Sequence, residues 1–261
     1  MIPVHIDLLY SIAGVAVGLL VGLTGVGGGS LMTPLLVLAF GFHPATAVGT
    51  DLLYASATKS VGTAVHGFSG SVDWKIVRRL ALGSVPATLV TLGLLAFIGT
   101  RVGGTEHLIT FVLGLALIAT AIAMIFRGRI VARYADRIDA LGDGQVRTLT
   151  IILGGMLGVL VALSSVGAGA LGMTALLVLY PKLPTSRLVG SDIAHAVPLT
   201  LVAGMGHWAM GSVNFGLLLS LLIGSIPGII VGSLLSTRIP DRALRAVLAG
   251  TLAVVGGKLL F

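Results

Sequence analysis

The chain has 261 residues, of which 56% are hydrophobic and only 10% charged, whereas soluble domains run near a quarter charged. Apolar stretches of about 18 residues or more recur along its length, which excludes a soluble globular domain and implies a polytopic membrane protein. Cysteine is absent, so disulfide and thiolate chemistry are excluded, and the net charge of +7 lies in loops between apolar spans, where membrane topology explains it better than nucleic acid does.

The start, Met1 to Asp7, shows no basic n-region and no small-residue cleavage site, so the segment 6–25 is read as a retained helix. Its end runs into Gly22-Leu-Thr-Gly-Val-Gly-Gly-Gly-Ser30. Four glycines between Gly25 and Gly29 are expected to break a helix, with Ser30 as N-cap of the next one and Pro34 near its first turn. Backbone freed inside a membrane must be buried in protein or line a wet cavity. A bare helix N-terminus there suits an anion, although a tight helix-packing turn explains the glycines equally well.

Further apolar segments follow at 30–42, 44–66, 75–99 and 107–126, then a polar stretch from Arg127 to Arg147. A second set lies at 149–165, 169–180, 187–209, 215–236 and 243–260. Five segments, a break and five more indicate an internal repeat. Thr24-Gly-Val-Gly27 aligns with Ser164-Ser-Val-Gly167, and Pro44 with Pro184, at an offset of 140. After one inserted residue the offset is 141. It then pairs Val48-Gly-Thr-Asp51 with Val189-Gly-Ser-Asp192, His66 with His207, and Gly83-Ser-Val-Pro86 with Gly224-Ser-Ile-Pro227. The expected organisation is a first membrane repeat over 1–126, a linker over 127–148 and a second membrane repeat over 149–261.

Loop charges orient the halves. Lys75, Arg78 and Arg79 follow the third segment of the first half, whereas Arg238, Arg242 and Arg245 follow the fourth segment of the second. The positive-inside rule therefore inverts one half against the other. A cytoplasmic linker puts thirteen of the sixteen Lys/Arg residues on the cytoplasmic side and both termini outside. Segments 30–42 and 169–180 are too short for a level crossing of a ~30 Å core. Each either crosses short or folds back on its predecessor. The expected fold is thus an all-α polytopic membrane protein of two inverted repeats, each with a broken glycine-rich first helix, in 8–10 membrane segments.

Inverted repeats with broken helices are the architecture of secondary transporters, which bind substrate near mid-membrane at the repeat interface. The two breaks, Thr24–Ser30 and Ser164–Ala170, offer N–H-rich turns with Thr24, Ser30, Ser164 and Ser165 as hydroxyl donors. Four ionisable residues lie within apolar segments: Asp51, Lys59, Asp192 and His195. A charge in lipid costs roughly 2.5–3.5 kcal/mol, so these face the bundle interior. Lys59 has Thr200 as its repeat partner. It either compensates a bound anion, snorkels, or pairs with Asp192 across the repeat interface. Asp51 and Asp192 each follow a hydroxyl residue near the start of a segment; helix N-capping is their simplest role and proton coupling the sharper one. His195, one turn from Asp192, is placed to share its proton. His66 and His207 are expected to bind backbone or water.

Nothing matches a phosphate-loop or HExxH motif, so no nucleotide cofactor, metal or ATP hydrolysis is expected. An intramembrane hydrolase using Ser165 with His195 or His207 is the rival from another class; no local signature supports it, and it does not need two inverted halves.

The stretch Gly22 to Pro34 resembles the opening signature of the TauE/SafE family of sulfite and organosulfonate exporters, as do Pro44-Ala-Thr-Ala-Val-Gly-Thr-Asp51 and His66-Gly-Phe-Ser-Gly-Ser-Val-Asp-Trp74. The resemblance spans the chain and implies a multi-pass permease of a bacterial or archaeal inner membrane, moving small sulfur-containing anions such as sulfite, thiosulfate or sulfonates. Combined with the residue pattern, it predicts an anion cradled by Gly27, Gly28, Gly29 and Ser30, with Ser165, Gly167 and Gly169, and balanced by Lys59. Another small anion such as a carboxylate, a cation, or a channel-like conductance are the alternatives. Homo-oligomerisation through Ala/Gly-rich faces is left open. The second break departs from the first where Ser165 and Ala168 replace glycines, which sets the two half-sites apart.

Overall fold

The structure is a computed structural model that describes residues 6–24, 29–68, 72–101, 105–235 and 241–260. Among these residues it is all-helical: α1 (Leu8–Thr24), α2 (Gly29–Leu38), α3 (Pro44–Phe68), α4 (Trp74–Arg101), α5 (Thr105–Asp139), α6 (Asp143–Ser164), α7 (Ala170–Leu179), α8 (Thr185–Ala209), α9 (Phe215–Leu235) and α10 (Asp241–Leu260). Five of them are long and apolar enough to cross a membrane. α4 turns Leu82, Leu89, Leu94 and Phe97 outward, and α5 does the same with Phe111 and Ile125, as lipid-facing helices must. The polar stretch after residue 126 continues α5 as helix to Asp139.

Both glycine-rich breaks separate a longer helix from one of ten residues, about 15 Å of rise each. The second short helix folds back. Leu157 of α6 lies against the backbone of both Gly167 and Gly172, and the Tyr180 hydroxyl, just past α7, meets Thr150 Oγ1 of α6 at 2.8 Å. At the corresponding place in the first half, Tyr10 of α1 packs edge-on against Phe40, just past α2, with ring centroids 5.1 Å apart. α2 begins at Gly29, so Ser30 lies inside the helix and is not its N-cap; Pro34 sits in its interior rather than its first turn.

The two halves interlock. α1 runs along α9, and α6 runs along α4. Small residues set both seams, as they do where membrane helices approach closely. A Cβ on Gly224 would overlap the Ser11 carbonyl oxygen of α1, and a Cβ on Gly83 the Ile151 carbonyl oxygen of α6. Gly14 and Gly18 meet Leu221 and Ser225; Gly154 and Gly158 meet Leu80 and Ser84. These contacts map onto each other at the offsets read from the sequence. Equivalent helices α3 and α8 pack against each other antiparallel, Gly49 beside His207 and Leu53 beside Gly204. Extending that register brings Lys59 level with Val197 and Pro198 of α8.

Hydroxyls bind the halves together where each third helix approaches the far end of its partner. Ser191 Oγ accepts from the Asp73 N–H at 2.8 Å, and Thr50 Oγ1 accepts from the Asn214 N–H at 3.1 Å. Asp73 and Asn214 are themselves the caps of α4 and α9, through Asp73 Oδ1 to the Lys75 N–H and Asn214 Oδ1 to the Leu217 N–H. Asp51 and Asp192 lie well inside α3 and α8, so their expected capping role is corrected.

A polar cluster outside the breaks

Arg79 is almost fully buried. It holds both oxygens of Asp143 at 2.9 and 2.8 Å and reaches the Tyr180 hydroxyl at 3.2 Å. This joins the starts of α4 and α6 to the end of α7. Ser220, the residue equivalent to Arg79, instead accepts from the Asp7 N–H at 3.0 Å.

Candidate functional site

The second break is buried from Ser164 to Ala170. Ser165 ends α6 in the left-handed region, φ 58°, and accordingly its N–H returns to the Val161 carbonyl. A non-glycine residue there carries a conformational cost of about 1–2 kcal/mol. Gly167, at φ 122°, has a conformation that glycine alone adopts readily. Its carbonyl accepts from the Gly169 and Gly172 N–H groups. The N–H groups of Gly167, Ala168, Ala170 and Leu171 take no backbone carbonyl among the described residues, and they cluster at the positive end of α7.

Ser164 serves the turn itself. Its Oγ donates to the Leu160 carbonyl at 2.7 Å and accepts from the Val166 N–H at 3.2 Å. Ser165 differs: its Oγ faces the Asp51 carboxylate yet is buried with no hydrogen-bond partner among the described residues.

Lys59 comes from the middle of α3 and is 8% exposed. Its Nζ donates to the Ala168 carbonyl at 3.1 Å, so the lysine is tied to the break and not to a carboxylate. Asp192 and Asp51 both lie within Coulombic range of it. Asp51, fully buried, accepts from Thr33 Oγ1 of α2 through Oδ2, while its Oδ1 has no partner among the described residues. Asp192 Oδ1 is likewise unpartnered there and faces Gly172. Arg127 of α5 lies within the field of Asp192. The structure therefore brings Asp51, Lys59, Ser165, Gly167, Gly169 and Asp192 together around one break.

His195 is nearby but engaged elsewhere: its Nε2 forms a 2.8 Å hydrogen bond with Ser84 Oγ of α4, not with Asp192. His207 Nε2 meets the Ala162 carbonyl at 2.8 Å, and because a carbonyl only accepts, this nitrogen carries the proton. The backbone role expected of His207 holds. In the first break, residues 25–28 and the side chains of 23–30 lie outside the described residues. The expected donors Thr24, Gly27, Gly28 and Ser30 are among them, as is the side chain of His66; Gly29 is the first residue of α2.

Sequence reasoning missed Thr33, the Ala168 carbonyl and Ser84. Ser84 stood in the repeated Gly-Ser-x-Pro pattern and carried a signal. Thr33 carried none, because only the packing of α2 on α3 brings it to Asp51.

A helix break that meets charged residues inside an apolar bundle is an arrangement found in membrane transporters. Residues 10–259 match the sulfite exporter TauE/SafE family, and the chain belongs to that family. It is 40% identical over 248 residues to the probable membrane transporter protein YjnA of Bacillus subtilis, covering 95% of this chain and 97% of that one. A probable membrane transporter protein of Xylella fastidiosa is 28% identical over 87% of this chain and 84% of its own. One from Methanocaldococcus jannaschii is 26% identical over 95% and 93%. No solved structure matches the chain. The family is one of membrane transporters rather than enzymes, and the chain is a multi-pass membrane protein.

Proposed function

We propose that the protein is a permease for small sulfur-containing anions, such as sulfite, thiosulfate or organosulfonates, in a cytoplasmic membrane. Its two halves act as inverted repeats, with the linker cytoplasmic and both termini outside. The anion is held at the second break by the free N–H groups of Gly167, Ala168, Ala170 and Leu171 and by Ser165 Oγ, with Lys59 adding charge complementarity. Thr24, Gly27, Gly28, Gly29 and Ser30 supply the matching turn of the other half, and the family resemblance supports the sulfur chemistry. One observation carries the reading: the buried Lys59 Nζ donates to the backbone of the break itself, which supports a cation working beside the unpaired N–H donors.

The test is uptake of labelled sulfite and sulfoacetate into proteoliposomes, with acetate as competitor. K59A is expected to raise KM or lower flux about 10–100-fold, the loss of one charge-assisted contact. Flux that acetate abolishes at equal concentration would favour a carboxylate carrier. Unchanged flux in K59A removes the lysine from the site.

A further inference from the structure

The proposed anion does not enter a simply positive site. Facing Asp51 are Thr33 from α2, Ser165 from the break, and Tyr54 and Lys59 from its own helix. Beyond Lys59 stand Asp192 and His195 of α8, and Arg127 of α5 lies within the field of Asp192. His207 of α8 packs its Cβ near Gly49, and its protonated nitrogen is committed to Ala162. Counting Lys59 and Arg127 against Asp51 and Asp192, the fully ionised group is neutral. Leaving out Arg127, it is neutral only with one proton on the two carboxylates. In both cases a monovalent anion adds one uncompensated negative charge inside the membrane, which burial strongly disfavours. The missing charge must arrive with the anion.

Asp51 is the carboxylate placed to receive it. Its Oδ1 is fully buried and without a partner among the described residues, and Ser165 Oγ, unpartnered on the same terms, stands beside it at the edge of the break. A protonated Oδ1 is a donor, whereas an ionised one only accepts. Protonation thus changes what the carboxyl offers Ser165, leaving that hydroxyl able to turn its own hydrogen toward the anion. Asp192, by contrast, has Arg127 as well as Lys59 in range. Resting on the anion site proposed above, we infer that each monovalent anion is carried together with one proton held on Asp51, so that transport is electroneutral proton–anion symport.

The probe is labelled methanesulfonate, which stays ionised across the working pH range, so a pH gradient cannot act on the substrate itself. Proteoliposomes containing the full chain are given a pH gradient, or a potassium–valinomycin potential, or both. One proton per anion predicts accumulation that rises about tenfold per pH unit, takes up one proton per anion, and ignores the imposed potential. Accumulation that follows the potential and ignores pH overturns the coupling while leaving the anion site intact. Absence of saturable methanesulfonate flux overturns the site reading and this inference with it. In D51N the gradient-driven accumulation is expected to fall at least tenfold and the accompanying proton uptake to vanish, with D51E restoring both. One proton per anion retained in D51N overturns the assignment to Asp51. Should D51N not fold, T33V serves in its place: losing the hydroxyl that supports the ionised carboxylate moves the pH profile of flux to higher pH, and an unmoved profile counts against Asp51.

Discussion

The α1·α9 and α4·α6 seams are near copies, yet the polar residues they hold up are not. In each seam a serine two residues before a proline faces the third helix of the other half: Ser225 turns toward Tyr54, and Ser84 toward His195. Tyr54 and His195 are equivalent positions. The Ser84–His195 contact is a 2.8 Å hydrogen bond, whereas the Tyr54 hydroxyl and Ser225 Oγ are both buried without a partner among the described residues. The outer ends of the two hairpins differ in the same way, Tyr10 and Phe40 packing ring against ring where Thr150 and Tyr180 share a hydrogen bond that Arg79 extends to Asp143. Frame positions tolerate little change because they are backbone-to-backbone contacts. The positions they support are free to diverge, and a carrier whose two faces meet different conditions has reason to let them.

The largest effect should come from breaking the frame, and it should be the same in both halves. G83A and G224A each push a methyl group into a backbone carbonyl of the facing helix, and backbone cannot move aside as a side chain does. Overpacking of this kind costs about 1–3 kcal/mol. In detergent, Tm is expected to fall by roughly 5–10 °C in both variants. A large fall in one and none in the other would show that the seams are alike in sequence only.

G167A separates conformation from frame. Alanine at φ 122° costs about 1–3 kcal/mol of local strain, and its methyl is crowded by the end of Leu160, a side chain that is able to give, with Leu157 at ordinary contact distance. Stability should therefore fall by no more than in the seam variants. Anion affinity should suffer more, with KM rising about tenfold as the N–H groups of the break are re-aimed. Normal KM with lowered Tm would make this turn a packing device and return the glycine-rich breaks to the structural reading.

Much of this was legible in the sequence. The repeat offsets, the helix break at Ser164–Ala170 and the unmatched Lys59 all follow from residue type and spacing. The roles of Asp51 and Asp192 were not. Each follows a hydroxyl residue, which looks like local capping, and capping by Thr50 and Ser191 does occur. It acts on Asn214 and Asp73, the starts of helices in the opposite half. Such a contact between residues more than a hundred positions apart leaves no trace in local spacing. The partners of Lys59 were hidden for a related reason: its hydrogen bond goes to a main-chain carbonyl, and every residue has one.

The smallest effects fall on the serine pair and discriminate most finely between the halves. S84A strips His195 Nε2 of the hydrogen bond it shares with Ser84 Oγ, in a place water does not reach, and a buried polar group left without a partner costs about 1–3 kcal/mol. S225A removes a hydroxyl that makes no such bond, so its cost should stay within about 0.5 kcal/mol. Thermal unfolding of the two variants side by side therefore reads the asymmetry directly, since the surrounding glycine contacts and the following proline are matched. Equal losses would mean that Tyr54 and Ser225 form a bond as strong as the one between His195 and Ser84. A loss confined to S84A would establish that the two halves, built on one frame, carry different polar chemistry at equivalent points.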